Sequence, residues 1–310
     1  MFFRIEVPDT LNGATLLISL DGISGENELF LSFGKMPSRS AYDFAFSSPS
    51  QPDQSIIVPE LIPGTYYLMV YGASENGNAQ FIKLKTQIIR FSILSVHSDK
   101  GGNTGNVTVR LDGAKFTPMM SVKLKSTTLG EITANRLHFI NSTRAFATFN
   151  LGGAKLGTYD VLLSRNAESA TLPNGFTVVK GNPGILTNAS QQGNNSFTCN
   201  IVNIGTDNGL SETIDHPASM LVNRVVPITI QYGNTGNVDI PVPSRFLISL
   251  NGEPLSFTIP GLNDGKQELY LKFQEIGGPP GILRPGSFCS ISVYSFSKRL
   301  IPILEYMLRE

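Results

Sequence analysis

The chain has 310 residues, enough for two or three ordinary domains that each close a core of their own. Charged residues make up 15 % and the formal net charge is +0, which excludes a general electrostatic attraction to nucleic acid or to an anionic membrane surface. With 30 Gly and 19 Pro and no sustained helical period, the composition suits short strands joined by turns, and no apolar run reaches bilayer-spanning length.

The opening, MFFRIEVPDTLNG, is interrupted by Glu6 and Pro8 and has no small-residue cleavage site, so it reads as a strand and not as a signal peptide. The chain is therefore expected to begin inside a domain. FFRIEV and ATLLISL alternate apolar and polar residues on either side of turn signals at Pro8-Asp9 and Asn12-Gly13. NELFLSF follows, then a polar loop with Tyr42 and Phe44, then IIVPEL, the run IPGTYYLMVYG and AQFIKLKT. Six or seven such strands predict a first β-sandwich over residues 1–86.

A second sandwich is predicted over 88–180. It starts at IIRFSILSV, treats GGNTGN as a loop, and continues through VTVRLDG, AKFTPMMSVKLKS, RAFATFNLGG, LGTYDVLLSR and NGFTVV. A Gly-Asn-Pro-Gly linker at 181–184 leads to a third sandwich over 185–298, with NSFTCNIVNIG, VVPITIQYGNTG, RFLISLNG, LSFTIPG, QELYLKF and SFCSISVYSF as strands. The tail, 299–310, is read as a short helix with apolar residues on one side or as a strand cut short. The fold class expected is all-β, three tandem β-sandwich domains of jelly-roll or immunoglobulin-like type.

Three runs share a pattern: IPGTYYLMVYG, KLGTYDVLLSR and RPGSFCSISVY. Gly64, Gly157 and Gly286 each precede a late strand, where a sharp turn calls for positive φ. Two residues later Tyr66, Tyr159 and Phe288 are expected to point inward and seal one end of each core, with a tyrosine hydroxyl bonding nearby backbone.

The first and second segments resemble known modules. FFRIEV, GENELFLSFGKMPSRSAYDFAFSS and IPGTYYLMVYG resemble, in that order, the strands and the Pro-Ser loop of the bacterial pre-peptidase C-terminal (PPC) domain. Glu28 stands where that family usually has aspartate, and the family's first strand would lie before Met1, so no calcium site carries over. Residues 91–180, through ILSVHSDKGGNTGNVTVRLDGAKF, LGTYDVLLSR and LPNGFTVV, resemble an IPT/TIG-type immunoglobulin-like domain. Residues 185–298 are more loosely similar to adhesion-associated sandwiches of bacterial surface proteins.

Chemistry-bearing residues are sparse. His97, His138 and His216 have no metal-ligand spacing and read as surface or loop histidines. No glycine-flanked serine elbow or phosphate cradle precedes a helix. Asp207, Glu212 and Asp215 share GTDNGLSETIDH, read as a loop that offers a weak calcium candidate, since calcium wants six to eight oxygens. Cys199 and Cys289 fall on strands of the third segment, where a disulfide and two buried thiols are both open readings. Sequons stand at Asn106, Asn141, Asn188 and Asn194 and matter only in a eukaryotic secretory setting.

No catalytic residues, cofactor or nucleic-acid partner are expected. The leading expectation is a noncatalytic extracellular or cell-surface fragment of a larger polypeptide that acts as spacer, adhesion or interaction module, with a protein or glycan partner. The alternative is the accessory region of a secreted peptidase or other hydrolase. The extracellular or surface location is implied by the module resemblance alone.

Overall fold

The computed structural model describes residues 1–46, 50–72, 81–182, 209–301 and 305–309. Among them the regular structure is all β apart from two short 3-10 turns. The first segment forms β1 (Phe2–Val7), β2 (Thr15–Gly22), β3 (Asn27–Phe33), β4 (Phe44–Ala45), β5 (Gln54–Val58), β6 (Gly64–Gly72) and β7 (Ile82–Ile89). They make two sheets, β1-β6-β3-β4 and β5-β2-β7. Period-2 alternation sends Leu16, Ile18 and Leu20 of β2 and Tyr66, Leu68 and Val70 of β6 into one core between them.

The second segment forms β8 (Ser92–His97), β9 (Lys100–Gly102), β10 (Asn106–Ala114), β11 (Ser121–Ser126), β12 (Gly130–Thr133), β13 (Arg136–Asn141), β14 (Arg144–Asn150), β15 (Gly157–Arg165) and β16 (Glu168–Val179). Its sheets run β13-β14-β10-β8 and β12-β11-β15-β16-β9. With β8, β10, β14 and β13 as strands A, B, E and D, and β11, β15 and β16 as C, F and G, this is the immunoglobulin arrangement. GGNTGN is not wholly a loop: β9 ends and β10 begins within it, and β9 pairs in parallel with the last strand, β16. Val107, Val109 and Leu111 of β10 face Val161 and Leu163 of β15 across a core of their own.

The third segment forms β17 (Leu210–Asp215), β18 (Val225–Asn234), β19 (Ile240–Pro241), β20 (Ser244–Ser249), β21 (Leu255–Ser256), β22 (Glu268–Lys272), β23 (Ile282–Leu283), β24 (Phe288–Phe296) and β25 (Tyr306–Arg309). Sheets β17-β18-β24-β21 and β22-β20-β25 enclose a further core, with the pair β19-β23 beside them. NSFTCNIVNIG, expected as this segment's opening strand, lies outside the described residues.

Two expectations are corrected here. Of the two readings of the tail the strand holds and the helix does not, and it is no appendage: β25 pairs with β20, and Tyr306 and Leu308 are buried in the third core, so a boundary at 298 cuts through that sandwich. IIRFSILSV is not one strand. Ile88 and Ile89 end β7, which pairs with β2, and Phe91 enters the second core, so the change of segment falls at Arg90.

Candidate functional site

The outer face of the sheet β13-β14-β10-β8 carries a group of charged side chains that share one carboxylate. In β10 the inward positions are Val107, Val109 and Leu111, so Thr108, Arg110 and Asp112 point outward in a row. Antiparallel register sets Arg110 opposite His97 of β8 and Asp112 opposite Arg144 of β14. Residues far apart in the chain thereby converge on one carboxylate. Asp112 Oδ2 accepts from Arg110 Nε at 2.9 Å and lies 2.9 Å from His97 Nε2, while Oδ1 accepts from Arg144 Nε at 3.0 Å. Burial pushes the Asp112 acid up, but hydrogen bonds from His97 and Arg144 and the charge of Arg110 outweigh it and hold the group down at about 2.

This cluster forms one wall of a cleft of about 520 Å³ between the first and second sandwiches. The facing wall is the outer surface of β2 and β5, with Leu17 and Ile57, and Leu94 of β8 continues the apolar floor. Phe46, from the end of the Tyr42–Phe44 loop, closes one side and meets Phe30 edge-on at 5.5 Å. Tyr42 is exposed and lies 4.9 Å from Phe30, whereas Phe44 packs partly against the first core.

The arrangement does not form a nucleophilic triad. Ser95 Oγ is 3.3 Å from His97, but at Nε2, the same nitrogen that meets Asp112. A general base needs the acid on one ring nitrogen and the nucleophile on the other. What the group offers is cationic donors: Arg110 and Arg144 both line the cleft, each bonds Asp112 through Nε, and among the described residues their Nη groups meet no acceptor.

At its other end the same sheet face meets the third segment. Thr108 donates its backbone N–H to Asp239 Oδ1 at 2.9 Å and its hydroxyl to Oδ2 at 2.6 Å, and Asp239 N–H donates to Asn106 O at 2.8 Å. Burial pushes the Asp239 acid up to about 6, against the lowering effect of the Thr108 bonds and of Arg284. Arg284 is itself buried, bonded through Nε and Nη2 to Glu275, and its guanidinium carbon lies 4.9 Å above the Phe146 ring. Among the described residues its Nη1 has no acceptor, and the ring face supplies an electrostatic partner for the guanidinium. Val238 packs on the second core, and Asn237 bridges to Lys180 and Asn182.

The remaining expected positions are placed as follows. Gly64 and Gly157 have φ of +133° and +139°, and Tyr66 and Tyr159 are 2 % and 1 % exposed. Tyr66 Oη accepts from Ile62 N–H at 3.0 Å, and Tyr159 Oη donates to Lys155 O at 3.0 Å. Gly286 also has positive φ, at +71°, but Phe288 is a correction: it is 67 % exposed, lying over Gly233 on the outer face of its sheet. In the third sandwich a ring from another strand fills the corresponding role. Tyr232 stacks on Phe273 at 4.0 Å, donates to Gln274 O at 2.7 Å and accepts Gln274 N–H at 3.1 Å.

The acidic stretch read as a calcium loop is also corrected. Glu212 and Asp215 lie on β17, an odd number of residues apart and so on opposite faces. Glu212 is buried against Arg245 Nε at 2.7 Å, while Asp207 lies outside the described residues. Among the described residues no three potential metal ligands come together. Cys289 is half-buried beside Tyr232 on the neighbouring strand, and Cys199 lies outside the described residues. His138 lies 6.2 Å from Phe146, and His216 meets the edge of Tyr306 at 5.0 Å. His97 is no isolated surface histidine, since it is bound to Asp112. Of the sequons, Asn106 and Asn141 are on β10 and β13, and Asn188 and Asn194 lie outside the described residues.

No protein-family model matches this sequence, and no curated protein matches it. Among solved structures, SGBP-B from a complex xyloglucan utilization locus in Bacteroides uniformis aligns over 98 % of this chain and 96 % of its own at 12 % identity and a TM-score of 0.25. A putative membrane anchored protein from Corynebacterium diphtheriae aligns over 99 % and 81 % at 10 % identity and a TM-score of 0.24. A marsupial T cell receptor aligns over 94 % and 99 % at 10 % identity and a TM-score of 0.22. Similarity that low carries no argument, and the sandwich architecture rests on the chain's own sheets and cores. No helix of the described residues is long and apolar enough to cross a membrane.

Proposed function

We propose that the chain is a noncatalytic extracellular or cell-surface protein of three tandem sandwiches that spaces and presents a binding surface, with the cleft beside Asp112 as that surface. The observation that carries this reading is the geometry at His97. Its one engaged nitrogen meets both Ser95 and Asp112, an arrangement that holds charged donors in place and activates no nucleophile. The joint at Asp239 supports it as well, because a presenting scaffold needs its units fixed against one another. The resemblance of 1–86 to the PPC module and of 91–180 to an IPT/TIG-type domain supports an exported setting.

The test is incubation of the purified chain with panels of peptides and polysaccharides, followed by mass spectrometry. All substrates are expected to remain intact. Turnover that disappears in Ser95→Ala or His97→Ala would end this reading.

A further inference from the structure

We infer that the cleft between the first and second sandwiches binds a peptide segment carrying a carboxylate, with Arg110 and Arg144 receiving the acid and the aliphatic floor receiving an apolar side chain next to it. The inference rests on the noncatalytic reading above and names the ligand class of the same cleft. Each guanidinium has five N–H donors and gives one, from Nε, to a different oxygen of Asp112. The shared carboxylate fixes the two planes relative to each other and leaves both sets of Nη donors for an incoming acid. Asp112 keeps its negative charge through the neutral and mildly acidic range, so it aligns the pair at any working pH. Two guanidiniums against one carboxylate leave one positive charge unmatched before His97 is counted.

One unmatched charge suits a single carboxylate better than a phosphate dianion. The floor separates peptide from sugar. Leu17, Ile57 and Leu94 are aliphatic, and among the described lining residues the one phenyl ring, Phe46, packs partly against the first core and meets Phe30 edge-on, so the floor is aliphatic and not the aromatic platform on which a pyranose stacks. Aliphatic side chains of a peptide fit such a floor, and a cleft of about 520 Å³ admits a short segment.

The experiment is calorimetric titration of the full chain with acetyl-Leu-Glu-Leu-amide and with acetyl-Leu-Gln-Leu-amide at low ionic strength. The Glu peptide is expected to bind about tenfold tighter than the Gln peptide, and to lose that advantage in ~0.5 M salt. Arg144→Gln is expected to abolish the Glu preference in a chain that still melts cooperatively, at a temperature lowered only by the lost bond to Asp112, and Leu94→Ser to weaken both peptides alike. Equal binding of the two peptides by the unaltered chain, or binding of neither at millimolar concentration, overturns the assignment whatever the variants do. Tighter binding of trigalacturonate or of inorganic phosphate than of the Glu peptide overturns it too. Mass spectrometry of the titrated peptides separates the two proposals. Cleaved peptide sinks the noncatalytic reading and leaves the binding assignment standing, whereas intact, unbound peptide sinks the binding assignment alone.

Discussion

The three Gly-hydroxyl-aromatic echoes differ in one respect that decides where the ring goes. In the first two the ring is in phase with the apolar alternation that follows: Tyr66 with Leu68 and Val70, Tyr159 with Val161 and Leu163. In the third, Ile291 and Val293 fall on odd numbers, so Cys289 takes the inward phase and Phe288 the outward one. A one-residue slip moves a side chain to the other face of a sheet. Tyr159→Phe should cost about 1 kcal/mol, the net worth of the bond to Lys155 O. Tyr159→Ala should cost about 3–5 kcal/mol, and Phe288→Ala less than ~0.5 kcal/mol. Denaturant titration of the three variants checks this order. Two aspartates on the same sheet face make opposite pH predictions. The Asp112 acid is held at about 2, below its ordinary 3.8, so its contribution is full above pH 3.8 and is lost as pH falls toward 2. That contribution is on the order of 2 kcal/mol, and Asp112→Asn should remove the acid limb of the stability profile. The Asp239 acid is raised to about 6, so its contribution is full below pH 3.8 and is lost as pH rises through 6. Stability should fall by ~2–3 kcal/mol across that window in the unaltered chain and stay flat in Asp239→Asn.

Among the elements, two loops with the same five residues, Gly-Asn-Thr-Gly-Asn at 102–106 and 233–237, meet at the joint between the second and third segments. Gly102 N–H donates to Asn237 O at 2.7 Å, and a Cβ on Gly102 would stand 2.1 Å from Asn237 Oδ1. The glycine is there for the close approach of one loop to the other. Gly102→Ala should therefore open the joint and leave both sandwiches folded. Amide hydrogen exchange should quicken at residue 102 and at Asp239, whose N–H donates to Asn106 O, while the β10 core amides stay protected. Unchanged protection at Asp239 would refute this. The last strand makes a second case. Ending the chain at Lys298 removes β25 with Tyr306 and Leu308, two large side chains of the third core. Their joint loss exceeds ~5 kcal/mol, so limited proteolysis should digest residues 209–298 of that variant and spare the first two sandwiches.

Across the molecule, three separate apolar interiors are arranged in chain order, and the cluster on Asp112 and the joint at Asp239 both lie against the outer face of one sheet of the second segment. The interiors were readable because period-2 alternation is local. ATLLISL, VTVRLDG and RFLISL state their inward positions within a few residues, and Gly and Asn mark the turns. The joint and the cleft were not readable in that way. His97, Arg110, Asp112 and Arg144 are spread over 48 positions, with no spacing that marks a site, and Asp239 looks like any loop aspartate. The repeated Gly-Asn-Thr-Gly-Asn was the one available signal, and it names two loops without saying that they touch. By itself the sequence determined that the chain is all β, where most of its strands run and which side of each strand turns inward, since these follow from backbone geometry and residue order. Only the tertiary structure decided that β8, β10 and β14 pair in a register that gathers three charged or titratable groups on one carboxylate, and that a third sandwich buries an aspartate against the same face. Outward positions carry no burial pattern of their own, so what they meet is set by strand register and by the docking of whole sandwiches.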